Sequence, residues 1–319
     1  MTLRGGPGPV RPTDMLCPER NSDFSNEKFG RLGNPPYLGG VSLLPVSFLA
    51  WIVLTLLLVS CASEQAGFPG KTGVASKTDF RQGAIQVFQT KPRGENLRPL
   101  VFVHGSPGKA EHWKRYFDDD ELAKQFRMIA YDRPGYGKST GGFVDFGGQV
   151  EALERLLGQQ KAPVTLVGHS LGGPIVLAAA ARYPEKVHKV VVLAPSVDPT
   201  PGLVFKMNRF LGCIGLGRLM LPPWRVSHLE VLALNPSLQG LPPELGRITS
   251  SVTIVQGGRD QLVPSTNVGY LKKYLTATNP KVIFLENEGH FIPWTKFELV
   301  KRVLSGEASS GGKVVKIEK

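Results

Sequence analysis

One ten-residue segment constrains this chain more than any other: Val164-Thr165-Leu166-Val167-Gly168-His169-Ser170-Leu171-Gly172-Gly173. An apolar, β-branched run reads as a buried strand and stops at Gly168. Behind Ser170 a helix of small residues opens, with Pro174 in its first turn and Ala178 to Ala181 further on. Proline is harmless there, because the N–H it lacks has no partner in the first turn. A strand that becomes a helix within three residues must bend sharply, and Gly168 and Gly172 remove the Cβ atoms that would crowd the bend. The pattern Gly-x-Ser-x-Gly in this setting is a nucleophile elbow, which lifts a serine hydroxyl clear of the backbone. Ser170 is therefore the candidate nucleophile; a solvated serine in a glycine-rich turn is the plainer alternative.

Such a turn needs a sheet, and the flanking sequence supplies one. Segments 84–88, 100–103, 127–131, 163–167, 187–193, 252–255 and 282–285 read as strands. Glu111 to Phe117 and Val144 to Leu157 read as helices, the second with Val150, Leu153, Leu156 and Leu157 on one face. Alternating strands and helices imply an α/β fold, a mostly parallel sheet covered on both faces. Reactive groups then gather at the carboxyl ends of the strands. A chain of 319 residues buries a full core without disulfide or metal. Cys17, Cys61 and Cys213 provide no disulfide framework, and no Cys/His cluster has zinc-ligand spacing. No cofactor and no metal are expected.

Lys and Arg outnumber Asp and Glu by 38 to 26, for a formal net charge of +12. No basic block interleaved with aromatics accompanies the surplus, so nucleic acid is not an expected partner. Attraction to an anionic lipid surface is the expected secondary effect, because the front of the chain reads as a membrane-targeting segment. Residues 1–40 are rich in Gly, Pro and Asn and are expected to be disordered; a start placed too early, with Met15 or a later position as the true one, is the alternative. Val41 to Ser60 is apolar and uncharged and leads into Cys61. Twenty such residues suit either a signal segment with a cut or an uncleaved membrane span. Residues 62–80 read as a tether, 81–305 as the catalytic domain, and 306–319 as a flexible tail.

Five short motifs then appear in one order: His104-Gly105, Asp132-Arg133-Pro134-Gly135-Tyr136-Gly137, Gly168-His169-Ser170-Leu171-Gly172, Gly258-Arg259-Asp260 and Gly289-His290. Together they resemble the α/β-hydrolase fold over about residues 80–305. The resemblance implies a Ser-Asp-His triad of Ser170, Asp260 and His290, in the family's chain order. Asp198 is the second choice for the acid; Asp132 and Glu288 are expected to serve elsewhere. The oxyanion donors would be the backbone N–H groups of Leu171 and Ser106, since Pro107 has no N–H to give. Leu58-Val59-Ser60-Cys61 in turn resembles the lipobox of bacterial lipoproteins. It implies acylation of Cys61 and a catalytic domain anchored in the bacterial cell envelope, outside the cytoplasm.

Residues 196–247 separate two strands, carry Leu203, Met207, Phe210, Leu211 and Ile214 at helical spacing, and are broken by proline. They resemble the small helical cap that the family inserts over its site, and Phe210 and Trp224 are the cap residues expected to touch substrate. Epoxide hydrolases and haloalkane dehalogenases place Asp at the elbow, whereas this chain has Ser170. His104-Gly105-Ser106-Pro107-Gly108 differs at one position from the H-G-G-P-G of proline iminopeptidases. The expected activity is hydrolysis of an ester-type bond in a small hydrophobic acyl substrate through an acyl-enzyme. Acyl transfer or thioester cleavage by the same triad is the alternative, and a non-catalytic binding protein of the envelope is the alternative from another class.

Overall fold

The computed structural model describes residues 73–307, apart from 92, 201 and 214. The expectations for 1–40, for the apolar segment with Cys61, for the first part of the tether and for the tail beyond 307 lie outside the described residues. Among the described residues no helix is long and apolar enough to cross a membrane.

Eight strands form one sheet: β1 (Gly73–Phe80), β2 (Gly83–Thr90), β3 (Arg98–Val103), β4 (Phe126–Tyr131), β5 (Val164–His169), β6 (Val187–Leu193), β7 (Ser251–Gly257) and β8 (Lys281–Leu285). Their order is β1-β2-β4-β3-β5-β6-β7-β8. β1 and β2 pair antiparallel, β2 meets β4 antiparallel, and from β4 to β8 every pairing is parallel. The central strands are short β-branched and leucine-rich runs buried along nearly their whole length, as strands covered on both faces must be. Successive residues point to opposite faces. Val101 and Val103 accordingly join one core with Val150, Leu153 and Ile175, while Leu100 and Phe102 join the other with Trp113, Tyr116 and Phe297.

The helices that build these faces are α1 (Asp120–Gln125), α2 (Phe146–Gly158), α3 (Gly172–Arg182), α4 (Leu203–Cys213), α5 (Pro222–Leu238), α6 (Thr266–Tyr274) and α7 (Phe297–Ser305). Asp119 caps α1, its carboxylate accepting from Glu121 N and Leu122 N. Asp145 does the same for α2 at Gly148 N. Both satisfy N–H groups that the first helical turn leaves without partners. α3 is buried from Gly172 to Ala181. Its four alanines keep the axis close to the sheet. α4, a short turn over Leu216–Leu219, α5 and a last turn over Pro242–Leu245 fill the interval between β6 and β7, which is the interval expected for the cap.

One boundary is corrected. The segment 62–80 was expected to be a tether, yet its last eight residues form β1. β1 is the sheet's edge, and its Val74 to Lys77 are exposed. A strand that buries so little carries no hydrophobic run to announce it. The folded domain therefore starts at residue 73 or before.

Parallel register brings the strand ends together. Val103 stands opposite Gly168, His169 opposite Leu193, and Leu193 opposite Val255. The chain order reverses between β3 and β5, since β4 lies on one side of β3 and β5 on the other. In an open α/β sheet a crevice forms beyond the carboxyl ends at such a reversal. The loops after β3, β5, β7 and β8 all open there.

Candidate active site

Ser170 follows β5 directly and holds a left-handed backbone, φ 53°. A non-glycine residue there is strained by about 1–2 kcal/mol, and three hydrogen bonds hold it in place. Ser170 N donates to Leu193 O (3.0 Å), while Ser170 O accepts from Gly173 N (2.9 Å) and Ser196 N (3.2 Å). The glycines around it are steric necessities. A Cβ on Gly168 would come within 2.5 Å of Gly172 O, one on Gly172 within 2.5 Å of Val103 O, and one on Gly173 within 2.6 Å of Pro195 Cβ. The elbow thus forms where the sequence pattern locates it, for the reason the pattern implies.

Asp260 and His290 come from two loops that lie against each other. Gly258 N donates to Leu285 O and Arg259 N to Glu288 O, and a Cβ on Gly257 would strike Gly289 O at 2.4 Å. His290 Nδ1 lies 2.8 Å from Asp260 Oδ2. The carboxylate is itself held: Oδ1 accepts from Leu262 N (2.9 Å) and Val263 N (2.8 Å), and Gln256 Nε2 reaches Oδ2 at 3.4 Å. With its side chain fully out of solvent, this carboxylate has little freedom but to orient the ring. The turn after His290 is anchored from the other face of the sheet, where the Tyr116 hydroxyl donates to Pro293 O (2.7 Å) and Trp294 Nε1 to His112 O (3.2 Å).

The His290 ring packs 4.8 Å from the ring of His169, the residue before Ser170. His169 Nε2 lies 3.1 Å from His290 O, so that nitrogen carries the proton. Burial, followed by the neighbouring His290, pulls the His169 pKa well below its ordinary value. A neutral His169 matters, because a second positive ring would oppose any charge that forms on His290. Among the described residues Ser170 Oγ makes no hydrogen bond to His290. Such links are often long before substrate binds and shorten only in the reacting complex.

The other carboxylates considered serve elsewhere. Asp198 Oδ1 accepts from Thr200 N. Asp132 accepts from Ala110 N and Lys138 N, tying the turn that follows β4 to the segment that follows β3. Glu288 pairs with Lys296 (2.7 Å).

The loop after β3 carries Ser106. Among the described residues neither Ser106 N nor Leu171 N is taken up by a hydrogen bond. The loop is fixed by Arg133, which is wholly buried. Its Nε donates to His104 O (3.0 Å) and its Nη2 to Gly105 O (2.8 Å), while His104 Nδ1 also meets Gly105 O at 2.8 Å. Gly105 C=O and Ser106 N–H belong to one trans peptide, so they point in opposite directions. Pinning the carbonyl on Arg133 therefore aims the Ser106 N–H the other way. A Cβ on Gly105 would stand 3.0 Å from Ser170 Cβ, which shows how near this peptide runs to the elbow.

Arg133 is balanced from the cap. Glu230 of α5 accepts from Nη1 (2.6 Å) and Nη2 (3.1 Å), from the Tyr136 hydroxyl (2.6 Å) and from Gln149 Nε2 (2.8 Å). Burial opposes the guanidinium charge, but Glu230 and Tyr136 outweigh it and hold Arg133 above its ordinary pKa. Burial and Glu230 keep the Tyr136 hydroxyl protonated. The Ser106 hydroxyl lies 2.8 Å from that of Tyr136 and 2.9 Å from that of Ser227. It is therefore occupied, which leaves only the backbone N–H of Ser106 turned to the site. Arg133, Glu230 and Gln149 were not foreseen from the sequence. The available signal was Glu230 itself, the sole acid between residues 199 and 243.

A cavity beside Leu171 is walled by Phe143, Val144, Phe146, Ala233 and Leu234, with Gln149 and Glu230 completing it. Neither Phe210 nor Trp224 lines it. Phe210 is 62% exposed and Trp224 is half-buried. About 10 Å³ is open inside, room for a single water. A larger depression of about 420 Å³ at Lys114, Arg115, Asp118, Asp119 and Phe297 is lined by none of these site residues.

Residues 100–300 match the model of the alpha/beta hydrolase family. The chain is 35% identical over 103 residues to the pimeloyl-[acyl-carrier protein] methyl ester esterase of Edwardsiella ictaluri, covering 32% of this chain and 38% of that protein. It is 25% identical over 250 residues to the monoacylglycerol lipase of Mycolicibacterium smegmatis, covering 65% and 82%. Among solved structures it resembles the enol-lactonase of Burkholderia xenovorans LB400 with a TM-score of 0.61 at 15% identity, over 74% of this chain and 100% of that one. Its first curated relatives are spanned over less than two thirds of their length. The chain belongs to the alpha/beta hydrolase family.

Proposed function

We propose that this member of the alpha/beta hydrolase family is a serine hydrolase that cleaves an ester bond of a small apolar acyl substrate. The observation that carries the reading is the Asp260–His290 hydrogen bond, set beside an elbow that forces Ser170 into the left-handed region. His290 Nε2 takes the Ser170 proton as the oxygen attacks the acyl carbon. Asp260 holds the ring in the tautomer with Nδ1 protonated and offsets the charge it gains. The N–H groups of Leu171 and Ser106 receive the negative charge that develops on the carbonyl oxygen. The alcohol leaves with the proton from His290. Water, activated by the same ring, then releases the acid from Ser170.

Apolar walls at Phe143, Phe146 and Leu234 support an acyl group as the bound portion. The printed activities of the esterase and lipase relatives support an ester as the bond cleaved. The reading extends to the front of the chain, with residues 41–61 holding the domain at the bacterial envelope and Cys61 as the acylated residue.

Labelling with a fluorophosphonate tests the reaction. Wild type in detergent takes the label and hydrolyses p-nitrophenyl esters, and Ser170→Ala does neither. A folded wild type that neither labels nor hydrolyses any acyl length overturns the proposal.

A further inference from the structure

Residues 199–229 of the cap contain no Asp or Glu, but hold Lys206, Arg209, Arg218 and Arg225. All four are exposed, and among the described residues none of them forms an ion pair. α4 has the sequence Leu-Val-Phe-Lys-Met-Asn-Arg-Phe-Leu-Gly-Cys, and not one of its residues is buried. Large apolar side chains stand exposed alongside the charges: Leu203 (49%), Phe210 (62%), Leu216 (45%), Leu219 (80%) and Leu221 (71%). Outside the cap the described residues expose only Val74 and Tyr183 in this way. Single exposed leucines are ordinary on a protein surface, whereas a cluster marks a contact.

The positions are coherent. Leu203 and Phe210, seven residues apart on α4, fall on one helix face. Leu216 and Leu219 are three apart in a 3₁₀ turn, where such residues eclipse. Cationic side chains alternate with them along the chain. Apolar groups that dip below the headgroups, flanked by lysine and arginine that meet lipid phosphate, are the composition of an interfacial surface. A second copy of this chain would bring the same four unpaired cations against themselves, and like charges across a contact disfavour it.

We propose that the outer face of the cap, from Leu203 to Arg225, docks on the surface of an anionic lipid bilayer. The contact is separate from the reaction and from any anchor at the front of the chain. Glu230, Ala233 and Leu234 on the later turns of α5 remain with the cavity, while the earlier cap residues face the membrane.

The test reads the face itself, so that an anchor elsewhere does not mask the result. The full chain carries Leu219→Trp as reporter, with Trp51 and Trp224 changed to Phe. It is mixed with phosphatidylcholine vesicles, brominated in their acyl chains, with or without a quarter of phosphatidylglycerol. A second reporter, Tyr183→Trp, marks an exposed position outside the cap. The Leu219→Trp emission is expected to fall by at least about twofold on the anionic vesicles, and to recover at high salt. It is also expected to recover when Lys206, Arg209, Arg218 and Arg225 are all changed to Glu. The Tyr183→Trp emission is expected to stay unchanged. Should the four-residue variant fail to fold, the salt arm decides alone. Absence of quenching, equal quenching at the two reporters, or equal quenching on vesicles without phosphatidylglycerol overturns the proposal. So does self-association in solution that Leu219→Ser with Leu221→Ser abolishes, since the face then belongs to a second copy.

Discussion

At the carboxyl edge of the sheet, Asp260 meets two backbone donors, Gln256 and His290, and Arg133 meets two carbonyls and both oxygens of Glu230. On the outer cap, Lys206, Arg209, Arg218 and Arg225 lie in solvent without ion pairs among the described residues. Apolar residues divide the same way, since Leu166 is wholly buried while Leu219 is 80% exposed. One region is therefore already committed to its internal partners, and the other holds its groups in reserve for an external one. The Glu230–Arg133 pair is the stitch between them. It reaches from the cap to the peptide that carries one proposed oxyanion donor.

The difference is broken most severely by disturbing a committed group. Asp260→Asn keeps an oxygen for Leu262 N and Val263 N but turns an NH₂ toward His290 Nδ1. Two donors then face each other, and the ring is driven to the wrong tautomer. The kcat for a p-nitrophenyl ester is expected to fall by about four orders of magnitude, with a thermal midpoint close to wild type. Retention of activity would show that another carboxylate serves His290, with Asp198 the next to test.

A smaller effect, and a sharper one, comes from the stitch. Glu230→Ala strands a buried guanidinium and is expected to cost about 3–5 kcal/mol of stability, measured by urea unfolding. Arg133→Met combined with Glu230→Leu removes both charges, and most of the stability is expected to return. Hydrolysis is not expected to return with it. The Gly105 carbonyl has then lost its guanidinium, the Ser106 N–H is no longer aimed, and kcat stays about 100-fold low with KM little changed. Full recovery of kcat in the double variant would reduce the pair to a structural role.

How much of this was legible beforehand depended on whether the determining forces were local. The elbow could be read because its pattern lies within five residues and part of its sterics is local, Gly168 meeting Gly172 O, although Gly172 answers to Val103 O on the neighbouring strand. The central strands could be read because burial on both faces demands continuous apolar runs. β1 could not, since an exposed edge strand demands none, and α1 is too short to show a period. The Arg133–Glu230 pair spans 97 residues, and no local pattern records such a partner. Phe210 was assigned to the substrate because an apolar stripe at helical spacing says that a helix has a contact face, not which side of the cap that face occupies. In the fold Leu203 and Phe210 of that stripe turn outward, while Met207 and Leu211 are half-buried.

The smallest expected effect tests that outward turn. Leu166 lies in β5 between Val101 of β3 and Val190 of β6, and Leu166→Ala opens a cavity in packed surroundings at a cost of about 2–5 kcal/mol. Leu219→Ser removes the same isopropyl group from solvent contact, so its cost in urea unfolding is expected to stay within about 0.5 kcal/mol, and turnover of a dissolved short ester within about twofold. The two leucines differ only in what surrounds them. A Leu219→Ser penalty approaching that of Leu166→Ala would mean that the side chain is already covered in solution. The outer cap would then be committed like the sheet, to another copy or to a segment outside the described residues.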